Sequence, residues 1–161
     1  MARRPDKPVL LGEAPKSPNG FAFAPEDFTT QQLAASVNVH PTQLYEYFWL
    51  TNVFDFPLHA DGWGDSFPMA AAVDILSKKY FEHMDIICVG VRVRNALEHA
   101  LGIEGIPEND LRAFRPHSRR GTWHLGYIPH PASRQLSPNK AGLVLPIETQ
   151  RFLRWAAGMS R

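Results

Sequence analysis

The sequence predicts an α/β fold, a three-layer α/β/α sandwich around a central parallel sheet of about four strands. Two observations point there: short apolar runs that close on glycine or a polar residue, and helical periodicity in the stretches between them. Pro8 to Gly12 (PVLLG) reads as a buried strand feeding a loop. Glu26 to Ala35 is a candidate helix, and Pro41, at a first helical position, opens another through Phe48. Trp49 to Phe54 (WLTNVF) is the second strand, and Pro68 to His83 has helical composition. Asp85 to Gly90 (DIICVG) is the third strand. Val93, Ala96, Leu97, Ala100 and Leu101 repeat at helical spacing, with Gly102 placed as a C-cap. Residues 102–121 read as loop, Thr122 to Ile128 as a fourth strand, and Pro146 to Ala157 as a last helix stopped by Gly158. Strands separated by helical segments require parallel crossovers, with helices on both faces of the sheet.

A chain of 161 residues with 44% apolar and 20% charged residues has room for one domain with its own core. It is expected to fold as a single domain over 1–161, with 1–7 a flexible N-terminus. One cysteine, Cys88, excludes an internal disulfide, a cysteine zinc cage and an iron–sulfur cluster. No apolar run approaches the ~20 residues of a membrane span, and the start MARRPDKP lacks a signal peptide's apolar stretch. The expectation is a soluble, cytoplasmic, monomeric protein with neither metal nor cofactor.

The net charge is only +1, but it is unevenly spread. Residues 1–16 carry four bases and two acids, residues 17–110 four bases and thirteen acids, and residues 111–161 nine bases against Glu148 alone. A basic C-terminal third on a nearly neutral chain has the form of a polyanion-binding face; the bland alternative is a solvated surface that binds nothing.

In parallel α/β sheets ligands bind at the carboxyl ends of the strands, so the segments that follow strands are where chemistry is sought. Gly12-Glu13-Ala14-Pro15-Lys16 follows the first strand, and Asn19-Gly20-Phe21-Ala22-Phe23 comes next. Asn52 lies in the second strand, Gly90-Val91-Arg92 follows the third, and His130-Pro131-Ala132-Ser133-Arg134 follows the fourth. In order and approximate spacing these segments resemble the uracil-DNA glycosylase superfamily over roughly residues 8–157. That superfamily has a G-[EQ]-[AD]-P motif after the first strand, a downstream aromatic that stacks on the base, an asparagine ending the second strand and a late H-P-S loop.

The resemblance implies a glycosylase-like fold and an enzyme that extrudes a pyrimidine from DNA into a pocket. It makes Glu13, Asn52 and His130 the catalytic candidates and places Ala14, Pro15, Lys16, Phe21 and Phe23 around the base. Phe23, or Phe21, would stack on the ring face, and Asn52 would read N3–H and O4 with one amide. His130 would stabilise the departing anion at O2. Ser17, Ser133, Arg134 and Lys140 would grip the DNA backbone, with Arg119 and Arg120 extending the track. Without that resemblance, Asn52 is a turn asparagine and His130 a structural histidine.

The departures from the pattern are specific. Ala14 stands where the strongest uracil glycosylases carry a water-activating aspartate, and Glu13 beside it is read as orienting the loop or a water. Glu26 or Asp27 could supply the missing acid only if the intervening loop folds back. The cluster cysteines of the branch that spells its motif GEAP are absent. Lys16 occupies the position near C5 of the base; it points to solvent or a DNA phosphate, or else it faces an anionic group on C5. Three functions follow: N-glycosidic hydrolysis of an extruded uracil or modified pyrimidine, phage-type group transfer at C5 of a thymine in DNA, or non-catalytic DNA binding. Among other candidates, His117, His124 and His130 lack metal-ligand spacing, and Cys88 reads as a packing residue.

Overall fold

The computed structural model describes residues 7–15, 22–55, 67–79, 85–117, 119–132, 136, 138 and 142–159. In chain order the elements are β1 (Val9–Gly12), α1 (Phe28–Ser36), a 3₁₀ turn (Pro41–Glu46), β2 (Trp49–Asn52), α2 (Met69–Lys78) and β3 (Asp85–Val89). They continue with α3 (Val91–Leu101), β4 (Arg112–Phe114), β5 (Trp123–Ile128) and α4 (Ile147–Ala156). The fold is α/β with a five-stranded sheet in the order β2-β1-β3-β5-β4.

β1, β2, β3 and β5 are parallel, in a register that brings Gly12 opposite Asn52 and Val89 opposite Ile128. β4 runs antiparallel to β5, with Phe114 opposite Trp123. Two expectations are corrected here: the sheet is mixed rather than all parallel, and the stretch 102–121 contains a strand. β4 has only three residues, two of them exposed, so it carries no buried alternation that a sequence pattern could register. The segment from Pro41 is also corrected. It is a 3₁₀ turn ending at Glu46, opened by Pro41 and closed on itself by His40 and Gln43 in a capping box.

Successive strand residues point to opposite faces, and the core divides accordingly. Val9, Leu11, Ile86, Cys88 and Leu125 share one cluster with Ala72 and Leu76 of α2 and Val93, Ala96, Leu97 and Leu101 of α3. Leu10, Ile87, Val89 and Ile128 share a second with Leu33 and Ala34 of α1 and Phe152, Leu153 and Ala156 of α4. The helical repeat read in the sequence is therefore the buried face of α3, and Gly102 ends that helix in the left-handed conformation.

This order fixes where a ligand can enter. From β1 the chain leaves through α1 toward β2 on one side, and from β3 through α3 toward β5 on the other. Neighbouring strands whose connections part in opposite directions leave a crevice beyond their carboxyl ends. The crevice lies between β1 and β3.

Candidate functional site

A cavity opens at that crevice, lined by Gly12, Glu13, Ala14, Phe23, Asp27, Thr29, Thr30, Asn52, Val89 and His130. It offers about 40 Å³ to the centre of a water-sized sphere, within about 400 Å³ of unfilled space that includes the open mouth. Four strand ends and the first turn of α1 thus contribute to one hollow.

Gly12 is the residue on which two of the walls converge. A Cβ built there would lie 2.5 Å from Asn52 Oδ1 and 2.9 Å from Phe23 Cζ, closer than non-bonded atoms approach. Only glycine leaves the carboxamide and the ring room to share this spot. Asn52 is 7% exposed and stands at the last position of β2, directly opposite Gly12. Its carbonyl accepts a 2.9 Å hydrogen bond from Lys79 Nζ, which ties the end of the strand down. Among the described residues, Phe23 brings an aromatic ring to the cavity, and it does so at φ 56°, a conformation bulky L-residues rarely adopt.

His130 follows β5 and packs against Gly90. A Cβ on Gly90 would meet His130 Cβ at 3.2 Å, and Gly90 sits at φ 101°, where a side chain is strained in any case. The backbone N–H of Ala132 donates to His130 Nδ1 at 3.0 Å. With Nδ1 accepting, the neutral imidazole carries its proton on Nε2, so the ring presents an N–H donor on its far edge.

Glu13 has a side chain only 11% exposed, and burial holds its carboxyl above the ordinary value of 4.5. The opposing influence is the Arg92 guanidinium, whose Nε lies 3.8 Å from Glu13 Oε1. Arg92 Nη1 is buried without a hydrogen-bond partner among the described residues. Arg92 is a site neighbour that sequence reasoning left unassigned, although its place just after the third strand was a usable signal. Ala14 lines the cavity as expected, and Pro15 beside it is buried.

Asp27 also lines the cavity, so the chain after Phe23 does fold back toward Glu13. It stands at the N-cap of α1 yet makes no side-chain capping bond there. The two threonines that follow line the same cavity.

Other sequence candidates fall elsewhere. Arg119 and Arg120 belong to the connection between β4 and β5, which enters β5 at its amino end. At about 3.3 Å per residue, the six residues of β5 put roughly 20 Å between that end and His130. Arg119 Nη2 donates to the Leu76 and Ser77 carbonyls at the end of α2. His117 lies in the same connection, and His124 Nδ1 sits 3.3 Å from Asp85 Oδ1, so neither joins His130. Cys88 is fully buried, and burial pushes its thiol far up, which fits packing. Lys16, Ser17, Phe21, Ser133, Arg134 and Lys140 lie outside the described residues. Among the described residues no helix is long and apolar enough to cross a membrane.

No protein-family model, curated protein or solved structure matches the chain.

Proposed function

We propose that the protein is a DNA glycosylase-type hydrolase of the uracil-DNA glycosylase kind, built as a three-layer α/β/α sandwich and acting on an extruded pyrimidine. One observation carries the reading: Phe23, Asn52 and His130, taken from distant stretches of chain, line a single cavity at the carboxyl ends of the strands. Each supplies what a flipped base requires. The Phe23 ring offers a face for stacking, and the Asn52 carboxamide offers a donor and an acceptor for the Watson–Crick edge. The Nε2–H of His130, fixed by the Ala132 hydrogen bond, suits the charge that grows on O2 as the base leaves. Glu13 orients the loop or a bound water from its place beside Arg92.

Group transfer to an anionic C5 substituent has less support. Glu13 and Asp27 both line the cavity, and two carboxylates oppose a negatively charged group in the same space.

The test is release of free base, with formation of an abasic site, from single- and double-stranded oligonucleotides containing uracil or 5-substituted uracils. Excision is expected from the intact protein. His130→Ala should lower it by about 10²–10³-fold, the usual loss for one oxyanion donor. Salt-dependent binding of DNA with no product from any base would leave a binding protein instead.

A further inference from the structure

We propose that Lys79 is a positioning residue for Asn52: reaching from the end of α2, its ammonium fixes the backbone of the last residue of β2 and so sets the carboxamide that meets the base. The inference rests on the reading above, in which Asn52 recognises the Watson–Crick edge, and it adds a residue that does not itself line the cavity.

The need for such a residue follows from the place of β2 in the sheet. It is an edge strand of four residues, paired among the described residues with β1 alone. The Val53 N–H donates to the Gly12 carbonyl at the end of β1, at 2.9 Å. A trans peptide points its N–H and its C=O to opposite sides. The carbonyl of the same unit, that of Asn52, is therefore turned away from β1 and off the sheet. Inside a sheet the next strand would take that carbonyl; at an edge it is left to side chains or water. Lys79 Nζ takes it at 2.9 Å, from 27 positions along the chain. One peptide unit is thus gripped from both sides, by Gly12 and by Lys79, and it is the unit that holds Asn52 opposite Gly12.

The lysine is itself anchored. Its backbone N–H closes α2 on the Ile75 and Leu76 carbonyls, and Arg119 donates to the Leu76 and Ser77 carbonyls at the same helix end. A lysine ordinarily keeps its ammonium in water. Lys78 does so: it is exposed and pairs with Asp74 one turn back on the same helix. Lys79 is half-buried, and desolvation lowers its pKa below the ordinary 10.5 against the opposing influence of Asp55. It exchanges part of its hydration for a backbone carbonyl of the site.

Small displacements matter at this spot. Asn52 Oδ1 and the Phe23 ring already crowd the space over Gly12, at 2.5 and 2.9 Å from a Cβ built there. A carboxamide that reads N3–H and O4 together needs its donor and its acceptor aligned at once. Released on its outer side, the peptide unit can turn and carry the side chain with it.

The experiment is a double-mutant cycle on the full chain: Lys79→Met, which keeps the apolar stem and removes the donor, Asn52→Ala, and the two combined, with Lys79→Arg and Lys78→Met alongside. Single-turnover excision of uracil is measured, together with the Kd of an oligonucleotide carrying 2′-fluoro-2′-deoxyuridine, whose glycosidic bond resists cleavage. Lys79→Met should lower the rate by about 10–10²-fold, the scale of a misplacement of about 1 Å. It should weaken binding of the uncleavable strand by about three- to tenfold, the range of one hydrogen bond to the base. Both losses should vanish in the Asn52→Ala background, Lys79→Arg should recover most of them, and Lys78→Met should show neither. Full excision by Lys79→Met overturns the assignment. So does a loss of the same size with and without the Asn52 side chain, the result of a merely structural role. Absence of excision by the unaltered protein would instead bring down the hydrolytic reading itself, and the inference with it.

Discussion

Phe23 shows how a single residue shapes the cavity. Holding a bulky side chain at φ 56° costs about 1–3 kcal/mol, and such strain persists where the surroundings impose it. Here it sets the ring beside Gly12 and Asn52. Phe23→Ala should therefore weaken binding of an extruded-base oligonucleotide by about 1–3 kcal/mol, read as Kd in a titration. Unchanged affinity would remove Phe23 from the base site. Glu13 makes a second prediction at this scale. Burial raises its carboxyl pKa in the folded state above the ordinary 4.5. Between those two values the folded protein keeps a proton that the unfolded chain has lost, so this group's contribution to stability falls as pH rises through the window. Glu13→Gln should flatten that fall in Tm; an identical pH profile in the variant would show that the carboxyl does not carry it. Asn52, Phe23 and His130 were singled out by the order of motifs after the strands together with the resemblance, and the structure brings these three to one cavity; Phe21, the alternative to Phe23, lies outside the described residues. Asp27, with Glu26, was named only on the condition that the intervening loop folds back, because no periodicity encodes the path of the chain between Pro15 and α1.

At the level of elements, the site depends on how closely strand ends pack. Gly12→Ala would drive a methyl into Asn52 Oδ1 and Phe23 Cζ, so the last residue of β1 must give way or its neighbours must part. Excision should fall sharply while the remaining core holds, and this is read by comparing single-turnover rate with thermal unfolding. A variant with full activity would mean that the ring and the carboxamide need not meet. The long amphipathic elements, α3 and α4, were readable because they bury a regular stripe. β4 escaped because three residues on a sheet edge, mostly exposed, leave no stripe at all. The positions of Arg119 and Arg120 follow from strand direction. What precedes a parallel strand lies at its amino end, away from a ligand site at the carboxyl ends. In α1 the buried residues are largely polar, so its inward face could not be picked out by hydrophobicity.

For the whole molecule, alternation of strand and helix was enough to give the α/β class, and the cavity lies at the carboxyl ends of the strands. The order β2-β1-β3-β5-β4 depends on long-range pairing, which local pattern does not contain. It is that order that puts the crevice between β1 and β3 and gathers Gly12, Asn52, Val89 and His130 at its rim. Charge is less informative at this scale. Five of the nine basic residues of the last third divide between the β4–β5 connection, which holds Arg115, Arg119 and Arg120, and α4, which holds Arg151 and Arg154. They therefore do not form one continuous basic face along the chain. The most direct measurement is a crystal structure of the protein with an oligonucleotide carrying 2′-fluoro-2′-deoxyuridine. The account predicts an everted uracil in the cavity, its face on Phe23, its N3–O4 edge on Asn52 and its O2 toward His130 Nε2. An empty cavity, with the strand lying instead along the arginines between β4 and β5, would contradict it.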